Sequence, residues 1–525
     1  MTATRPPKAT RREWFGLAVI ALPCLLYSMD LTVLNLATPH LSADLEPTSS
    51  QLLWIVDIYG FLLAGCLVTM GSLGDRIGRR KLLLIGAMAF GAASVLAAFS
   101  TSAAMLIAAR AVLGIAAATL APSTLSLIRN MFLDERERTF AIGVWIASFS
   151  AGGAIGPLVG GVLLTYFWWG SVFLIAVPIM ALLLVLGPIY LPEYRDPEAG
   201  RLDIISAALS LVSVLAVIYG IKQAAEIGFN WVTLLSVATG VVFGAMFVRR
   251  QKVLREPLID LELFRQPAFS AALAVNVIGF FVAFSAFLFI AQFLQLVLGL
   301  TPFEAGLWSV PSGLAFVAGS MLTPLLVKGR RPTSVMATGF LLAAAGFLVL
   351  TRAGELATLP TIIIGYTVFS LGLAPVFTLA TDMMVGSVPP EKAGMASGIA
   401  ETSSEFGGAL GIALLGSLVT AIYRSRVNNA QLDGMPVEAV EMARNTLGSA
   451  VTAARQIPKE NGDVLLMIAQ DAFAGAVTWV FAVSAAFALL GALLTVLAIG
   501  RRHPGSRSSR ARGHRTKWGK SGRNA

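Results

Sequence analysis

The stretch Gly71-Ser-Leu-Gly-Asp75-Arg76-Ile-Gly78-Arg79-Arg80-Lys81 separates two long apolar runs, near residues 52–72 and 82–100. A helix that crosses a bilayer needs roughly 20 mostly apolar residues, and each run is long enough. The charged stretch between them leaves room only for a tight turn, which its glycines permit. It therefore predicts a short polar loop between two membrane helices. The gating residues predicted in this loop are Gly71, Asp75, Arg76, Gly78 and Arg79.

The same pattern recurs along the chain of 525 residues, of which 56% are hydrophobic and 13% charged. A soluble protein has about 25% charged residues, so the composition excludes a disordered chain, a disulfide scaffold and a soluble enzyme with a membrane tether. Fourteen apolar runs lie near residues 14–37, 52–72, 82–100, 103–128, 139–164, 167–191, 203–223, 230–248, 268–297, 303–327, 333–351, 358–383, 394–423 and 473–499.

The chemistry-bearing residues predict neither a metal site nor a cofactor, because the three His and two Cys have no ligand spacing. The net charge of +10 does not indicate nucleic acid, since most basic residues stand in short loops and in the C-terminal tail. This placement follows the positive-inside rule. It predicts a multi-pass membrane protein with both termini in the cytoplasm.

Charged segments at 193–203 and 249–265 divide the chain. We expect an all-α integral membrane protein with two six-helix bundles and an inserted helix pair, as in transporters built from repeats. The predicted parts are a cytoplasmic N-tail (1–13), an N-terminal bundle (14–191), the inserted pair (203–248), a C-terminal bundle (268–499) with an extracellular loop (424–472), and a basic cytoplasmic tail (500–525).

Three charged residues, Asp30, Asp57 and Arg110, stand inside apolar runs, where a charge costs at least about 2.5–3.5 kcal/mol. The helical rise puts all three roughly 10 Å below the same surface, so they can meet in one cavity. We expect Asp30 to carry a proton beside Arg110. The alternative is a static ion pair in which Arg110 braces the bundle.

Two further acids, Glu401 and Glu405, share one helix face because they are four residues apart. Their stretch, Ala400-Glu-Thr-Ser-Ser-Glu-Phe, is too polar to face lipid. It predicts a substrate or proton site, against the alternative of a buried polar network. Asp57 lies close to Trp54 and Tyr59, and an acid beside aromatic rings suits an organic cation. An interfacial aromatic belt is the competing interpretation of Trp54.

The fifth run contains Gly152-Gly-Ala-Ile-Gly156-Pro157-Leu-Val-Gly160-Gly161. Repeated glycine with proline gives a closely packed, bendable helix, so these named positions are predicted to serve the conformational change. With the 71–81 loop, Arg110-Ala-Val-Leu-Gly114 and Met29-Asp30-Leu-Thr-Val-Leu-Asn-Leu-Ala-Thr-Pro39, this pattern resembles the motifs of the major facilitator superfamily. The resemblance extends to its fourteen-helix drug:proton antiporter branch, particularly the Qac/Smv-type quaternary ammonium and biocide exporters.

The resemblance, which runs from about Trp14 to Gly500, implies roles for individual residues. It matches Asp30 to a proton-coupling acid, Asp57 to an acid that lines the vestibule, Arg110 to the motif arginine of the fourth span, and Glu401 and Glu405 to acids of the thirteenth. Together with the residue chemistry above, we expect proton coupling by Asp30, Arg110 and Glu405, and substrate binding by Asp57, Tyr59, Glu401 and Glu405. The expected function is proton-coupled export of lipophilic cations, such as quaternary ammonium biocides, dyes and drugs, across the bacterial inner membrane. The expected partners are these cations, protons and the lipid bilayer, and the expected state is a monomer.

The sequence leaves two other transport functions open and disfavours the other classes of membrane protein. The chain can instead export an endogenous metabolite or antibiotic, or import a substrate with protons. An enzyme is disfavoured because no nucleophile–base pair stands within the runs, and a Walker motif that would indicate ATP drive is absent from the sequence. A channel would need a re-entrant filter segment, and a receptor or scaffold would not need five buried charges.

Overall fold

The computed structural model describes residues 7–196, 202–227, 230–254, 257–352, 358–430 and 435–499, and this part of the chain is helical without any strand. The predicted basic tail at 500–525 and the first six residues of the N-tail lie outside the described residues. The helices are α1 (Arg11–Leu45), α2 (Ser49–Ile77), α3 (Arg79–Ala98), α4 (Ala103–Met131), α5 (Glu135–Tyr166), α6 (Ser171–Leu174), α7 (Ala176–Tyr190), α8 (Ile204–Ile227), α9 (Trp231–Val253), α10 (Pro267–Gln292), α11 (Pro302–Val327), α12 (Pro332–Leu350), α13 (Leu359–Gly386), α14 (Ala393–Asn428), α15 (Val437–Asn445), α16 (Leu447–Gln456) and α17 (Lys459–Leu494).

Fourteen helical stretches in the described residues are long and apolar enough to cross a membrane, which confirms the predicted number. The short α6 and α7 together form one of these stretches, Ser171–Tyr190. A π-helical turn extends α10 to Val297 and another extends α17 to Ile499, and short 3₁₀ turns occupy Leu261–Arg265 and Pro390–Lys392.

The predicted tight turn between the second and third spans is a single residue, Gly78, between the end of α2 at Ile77 and the start of α3 at Arg79. Its φ is +109°, a conformation in which a side chain is strained. Glycine at this position therefore allows two long helices to follow each other directly, and it fixes the position of the charged residues on either side.

The helices pack as two bundles and a pair. In the first bundle, α1 packs against α5 and α7, α2 against α4, and α3 against α4 and α7. In the second, α10 packs against α13, α14 and α17, and α12 against α13 and α17. The inserted helices α8 and α9 pack on each other, and α8 also contacts α2 and α14. This arrangement agrees with the expected fold class.

The segment predicted as an extracellular loop at 424–472 is largely helical. α14 continues to Asn428, α17 begins at Lys459, and the short helices α15 and α16 lie between them. The hydroxyl of Tyr423 donates to the carbonyl of Ala443 over 2.7 Å, and Leu447 and Ala450 are buried. The loop is folded because its short amphipathic helices bury one apolar face against the ends of the long ones.

Candidate functional site

One end of the molecule, which we call the Asp75 end, is closed by contacts between the two bundles. Asp75, near the end of α2, accepts hydrogen bonds from the main-chain N–H of Gly394 (3.0 Å) and Met395 (2.9 Å). Both donors lie in the first turn of α14, where N–H groups lack partners within the helix. A carboxylate from the first bundle therefore caps a helix of the second.

Arg79 completes this contact. Its guanidinium donates to Asp75 over 2.8 and 2.7 Å, and to the carbonyls of Pro390 (2.6 Å) and Glu391 (2.8 Å) before α14. Its exposed fraction is 1%, so the pair is closed off from solvent. Asp75 thus binds main-chain groups of the other bundle, while Arg79, at the start of α3, neutralises its charge.

A second contact joins the bundles at the same end. Arg138 Nε and the Thr139 hydroxyl, both on α5, each donate over 2.6 Å to the carboxylate of Asp382 on α13. Arg129 of α4 also donates to the carbonyl of Val385 at 3.3 Å. The Asp75 end is thus held by two charged clusters with partners in both bundles.

The predicted glycine positions fall into distinct environments. A Cβ on Gly71 would collide with the carbonyl oxygen of Gly394, so this glycine lets α2 and α14 touch. A Cβ on Gly152 would collide with the carbonyl oxygen of Leu25 in α1, whereas one on Gly161 would meet open space. Gly156 and Gly160 are both buried. Two other residues were also predicted to serve the conformational change: Pro157, whose side chain lies outside the described part, and Arg76, which is half-buried at the end of α2.

Asp30 and Arg110 meet, as their common depth predicted. Arg110 Nη1 donates to Asp30 Oδ2 over 2.6 Å, and its Nε donates to the carbonyl of Ile55 over 3.1 Å. The guanidinium also lies 4.7 Å from the centre of the Tyr59 ring, and the Arg110 side chain is fully buried. One arginine on α4 therefore binds both α1 and α2 inside the first bundle.

Tyr59 and Tyr27 continue from this pair toward the second bundle. Their ring centres are 6.4 Å apart, and the Tyr27 hydroxyl donates to Glu405 Oε1 over 2.9 Å. Among the described residues, the buried Tyr59 hydroxyl has no hydrogen-bond partner. Arg110, Tyr59, Tyr27 and Glu405 thus form a continuous line from α4 through α2 and α1 to α14, buried up to the half-buried Glu405, which we call the polar line.

Glu401 lies one turn before Glu405 on α14 and is half-buried. It is close enough to Glu405 and to Cys24 of α1 for electrostatic interaction. Within the part of the chain that the structure describes, it makes no hydrogen bond or ion pair. Two carboxylates, with the Tyr27 hydroxyl as donor and with Lys222 of α8 within electrostatic range of Glu405, form an acidic site at the interface of the bundles. Such a site can hold a cation or a proton.

Asp57 does not join Asp30 and Arg110. Its carboxylate instead forms a short ion pair with Lys222 of α8, a helix of the inserted pair. The Lys222 ammonium lies 4.8 Å from the centre of the Phe61 ring. The ring of Phe61 is in turn 6.1 Å from that of Trp54 and 6.4 Å from that of Tyr219. One aromatic ring and a carboxylate therefore contact a positive charge that belongs to the protein itself, and two further rings pack on that ring.

Several residues at these sites were not singled out from the sequence. Tyr27 resembles any aromatic residue of an apolar run, and Asp382 and Arg138 stand near the ends of their helices, where charges are ordinary. Lys222 carried the clearest signal, because it is a cation within the apolar stretch Ile204–Ala224. Its partner is 165 positions away, which no local pattern indicates.

Comparisons with known proteins agree with this architecture. Residues 20–412 match the family model described as Major Facilitator Superfamily. The multidrug efflux pump LfrA of Mycolicibacterium smegmatis is 41% identical, over 94% of this chain and 98% of its own length. The methyl viologen resistance protein SmvA of Salmonella typhimurium is 34% identical, over 93% of this chain and 97% of its own. The tetracenomycin C resistance and export protein of Streptomyces glaucescens is 29% identical, over 92% of this chain and 91% of its own.

Solved structures show the same fold at low sequence identity. The human organic anion transporter MFSD10 superimposes with a TM-score of 0.62 at 16% identity, covering 94% of this chain and all of that one. A bacterial homologue of the lysosomal transporter Spinster, in an inward-facing conformation, gives 0.56 at 18% identity, covering 93% of this chain and 98% of its own. The family match and these relatives together establish that the chain belongs to the Major Facilitator Superfamily, a family of membrane transporters.

Proposed function

We propose that this protein is a proton-coupled antiporter that exports lipophilic cations, including quaternary ammonium compounds, dyes and drugs, across the bacterial inner membrane. The names of the relatives LfrA and SmvA, a multidrug efflux pump and a methyl viologen resistance protein, support export of such compounds. Methyl viologen is itself an organic cation. The acidic site of Glu401 and Glu405 supports a positively charged cargo in this chain as well.

The observation that carries the proposal is the hydrogen bond from Tyr27 to Glu405. It lies at the boundary of the bundles and connects the acid of the second bundle to the Asp30–Arg110 pair of the first. We infer that Glu401, Glu405, Asp57 and Tyr59 contact the cargo, and that Asp30, Arg110 and Glu405 respond to the proton.

Exchange follows from competition for negative charge. A proton that neutralises Asp30 frees Arg110 from its ion pair, and the guanidinium then rearranges against the Tyr59 ring on which it lies. Through Tyr27, this change reaches Glu405 and weakens the hold on a cation. Proton and cargo thus exclude each other, which is the requirement for antiport.

Transport requires the cavity to open alternately to the two sides of the membrane, so the Asp75 end must open and close. We assign this end to the cytoplasm, with both termini on that side, because the basic loops lie there. In this assignment the two bundles (14–191 and 268–499) move relative to each other, and the inserted pair (203–248) moves with them. We propose that the protein works as a monomer. Exchange of one proton for a monocation is electroneutral and uses about 1.36 kcal/mol per pH unit.

The test is ethidium transport into the lumen of inverted membrane vesicles, which corresponds to export from the cell, with proton movement recorded in parallel. We expect ethidium to drive proton movement in the wild type and not in Asp30→Asn. The matched control is Asp44→Asn, on the same helix, where the carboxylate accepts a hydrogen bond from Trp169 over 2.7 Å outside the polar line. Ethidium export without any proton response in the wild type would refute coupling, and absence of export for a panel of monocations would refute the cargo class.

A second cargo class is supported by the tetracenomycin C exporter and by a probable actinorhodin transporter of Streptomyces coelicolor, which is 32% identical over 84% of this chain. Both names refer to transport of one named compound, which suits an endogenous metabolite or antibiotic as cargo. An acid that serves only the proton can accompany neutral cargo of this kind. Export of a neutral polyketide with proton movement, and no export of ethidium, would favour this function over cation export.

A further inference from the structure

The site around Asp57 has the composition expected for an organic cation, yet the protein fills it with its own ammonium group. Lys222 pairs with Asp57 and lies 4.8 Å from the centre of the Phe61 ring. The rings of Trp54 and Tyr219 pack on Phe61. A carboxylate with aromatic rings is the combination that recognises ammonium ligands. We propose that Lys222 is a resident competitor: it holds the Asp57 site, and a cationic cargo must displace it.

Exposure allows this exchange. The side chains of Lys222 and Asp57 are 38% and 22% exposed, whereas that of Arg110 in the other intramembrane pair is fully buried. The exposed fraction of Trp54 is 41%. The Asp57 site is therefore open enough for a small cation to approach, and Lys222 can swing away without leaving a buried charge unpaired. The Asp30–Arg110 pair has neither property.

The position of Lys222 explains what such a competitor achieves. It stands on α8, in the inserted helix pair, which also contacts α14 where Glu401 and Glu405 lie. A tethered group acts at an effective concentration of about millimolar or more. A cation that reaches Asp57 from the Glu401 site is therefore replaced by Lys222 and released, and a dilute cation outside the cell cannot hold the site. The inserted pair thereby lowers the apparent affinity of the Asp57 site and speeds release of the cation.

This inference rests on the proposed function, and its ligand class is monovalent organic cations. The experiment is a calorimetric titration: tetraphenylphosphonium is added to the purified full chain in lipid nanodiscs, and its binding affinity is measured. We expect Lys222→Met to bind about tenfold more tightly, equivalent to about 1.4 kcal/mol, because the competitor is gone. Lys222→Arg keeps a resident cation and retains wild-type affinity. In Lys222→Met/Asp57→Asn the gain disappears.

The matched control is Lys392→Met. Lys392 forms a comparable exposed ion pair with Asp260 at 3.2 Å, at the Asp75 end, and its loss leaves affinity unchanged. Size exclusion and thermal melting show whether Lys222→Met is folded. If the folded variant binds tetraphenylphosphonium with unchanged or weaker affinity, the proposal is overturned and Lys222 is a tether of the inserted pair.

A second measurement needs no variant and separates displacement from simple charge. Amine-reactive labelling of the wild type is quantified at Lys222 by mass spectrometry, with the exposed Lys459 as internal reference. Saturating tetraphenylphosphonium raises labelling at Lys222 if the cargo displaces it. Unchanged or reduced labelling at Lys222 contradicts displacement. If the vesicles still transport ethidium in that case, the proposed function stands and only this inference fails. If the wild type neither exports nor binds any monocation, the proposed function fails and this inference fails with it.

Discussion

The carboxylate of Asp75 on α2 accepts a hydrogen bond from the N–H of Gly394, 3.0 Å away in the first turn of α14. A residue of one bundle thus caps a helix of the other. The cap satisfies donors that would otherwise lack partners, and a negative charge at a helix N-terminus is favourable. Separation of the bundles at this end exposes both the helix end and the Asp75–Arg79 pair, so the cap stabilises the closed state specifically.

Asp75→Ala is expected to favour opening at this end by roughly 1–3 kcal/mol, the cost of leaving buried donors unsatisfied. The measurement is the distance distribution between spin labels at Ile77 and Glu391, in a background without native cysteines. We expect the longer distances to become more populated in the variant.

The matched control for this cap is Asp134→Ala. Asp134 caps α5 by accepting from the N–H groups of Arg136 (3.0 Å) and Glu137 (3.1 Å), all in one bundle. Its loss is expected to reduce thermal stability by about 1 kcal/mol without changing the distance distribution. Equal distributions in the two variants would contradict a gating role for Asp75.

Tyr27→Phe removes the hydroxyl that reaches Glu405 and keeps the ring, which packs against Phe149 at 5.3 Å between centres. A hydrogen bond to a charged group contributes about 1.5–3 kcal/mol, so we expect proton-coupled ethidium export to fall at least tenfold. Ethidium binding at equilibrium is expected to persist, because both glutamates remain.

Tyr423→Phe provides the comparison for Tyr27→Phe. It also removes one buried tyrosine hydrogen bond, to the carbonyl of Ala443, but at the folded segment between α14 and α17. We expect lower thermal stability with unchanged transport per folded molecule. If Tyr27→Phe behaves in the same way, the polar line has only a structural role.

Arg110→Gln is expected to reduce stability more than Asp30→Asn does. Arg110 is fully buried and also donates to the carbonyl of Ile55, so its loss leaves several buried groups without partners. Breaking a buried ion pair costs about 3–5 kcal/mol. Thermal melting of both single variants and of Asp30→Asn/Arg110→Gln forms a cycle. We expect the double variant to be more stable than the sum predicts, and strict additivity would argue against a direct energetic pair.

Gly152→Ala and Gly161→Ala separate two positions of the same glycine motif. A Cβ at Gly152 collides with the carbonyl oxygen of Leu25, whereas a Cβ at Gly161 meets open space. Overpacking costs about 1–3 kcal/mol, so Gly152→Ala should lower the melting temperature and the export rate, while Gly161→Ala should leave the melting temperature unchanged. A similar loss of stability at both positions would contradict close packing of α1 and α5 as the reason for the motif.

The sequence was sufficient for the fold because its signals are local. Length and apolar composition identified all fourteen spans, since each must satisfy its own backbone in lipid. The spacing of Glu401 and Glu405 put both on one helix face, and the glycines of the 71–81 stretch predicted the tight turn. Boundaries were less certain where helices extend beyond the membrane, as α14 and α17 do, because length beyond the bilayer carries no hydropathy signal.

Fewer contacts of the site than elements of the fold could be predicted from the sequence. Depth along the helices correctly suggested that Asp30 and Arg110 can meet, but depth alone also grouped Asp57 with them. Only the packing of α8 against α2 brings Lys222 to Asp57, and only the meeting of the bundles brings Tyr27 to Glu405, 378 positions later in the chain. Helix formation and membrane insertion depend on neighbours in sequence. The pairing of buried charges depends on which helix faces come together in three dimensions, and this the tertiary structure alone decides.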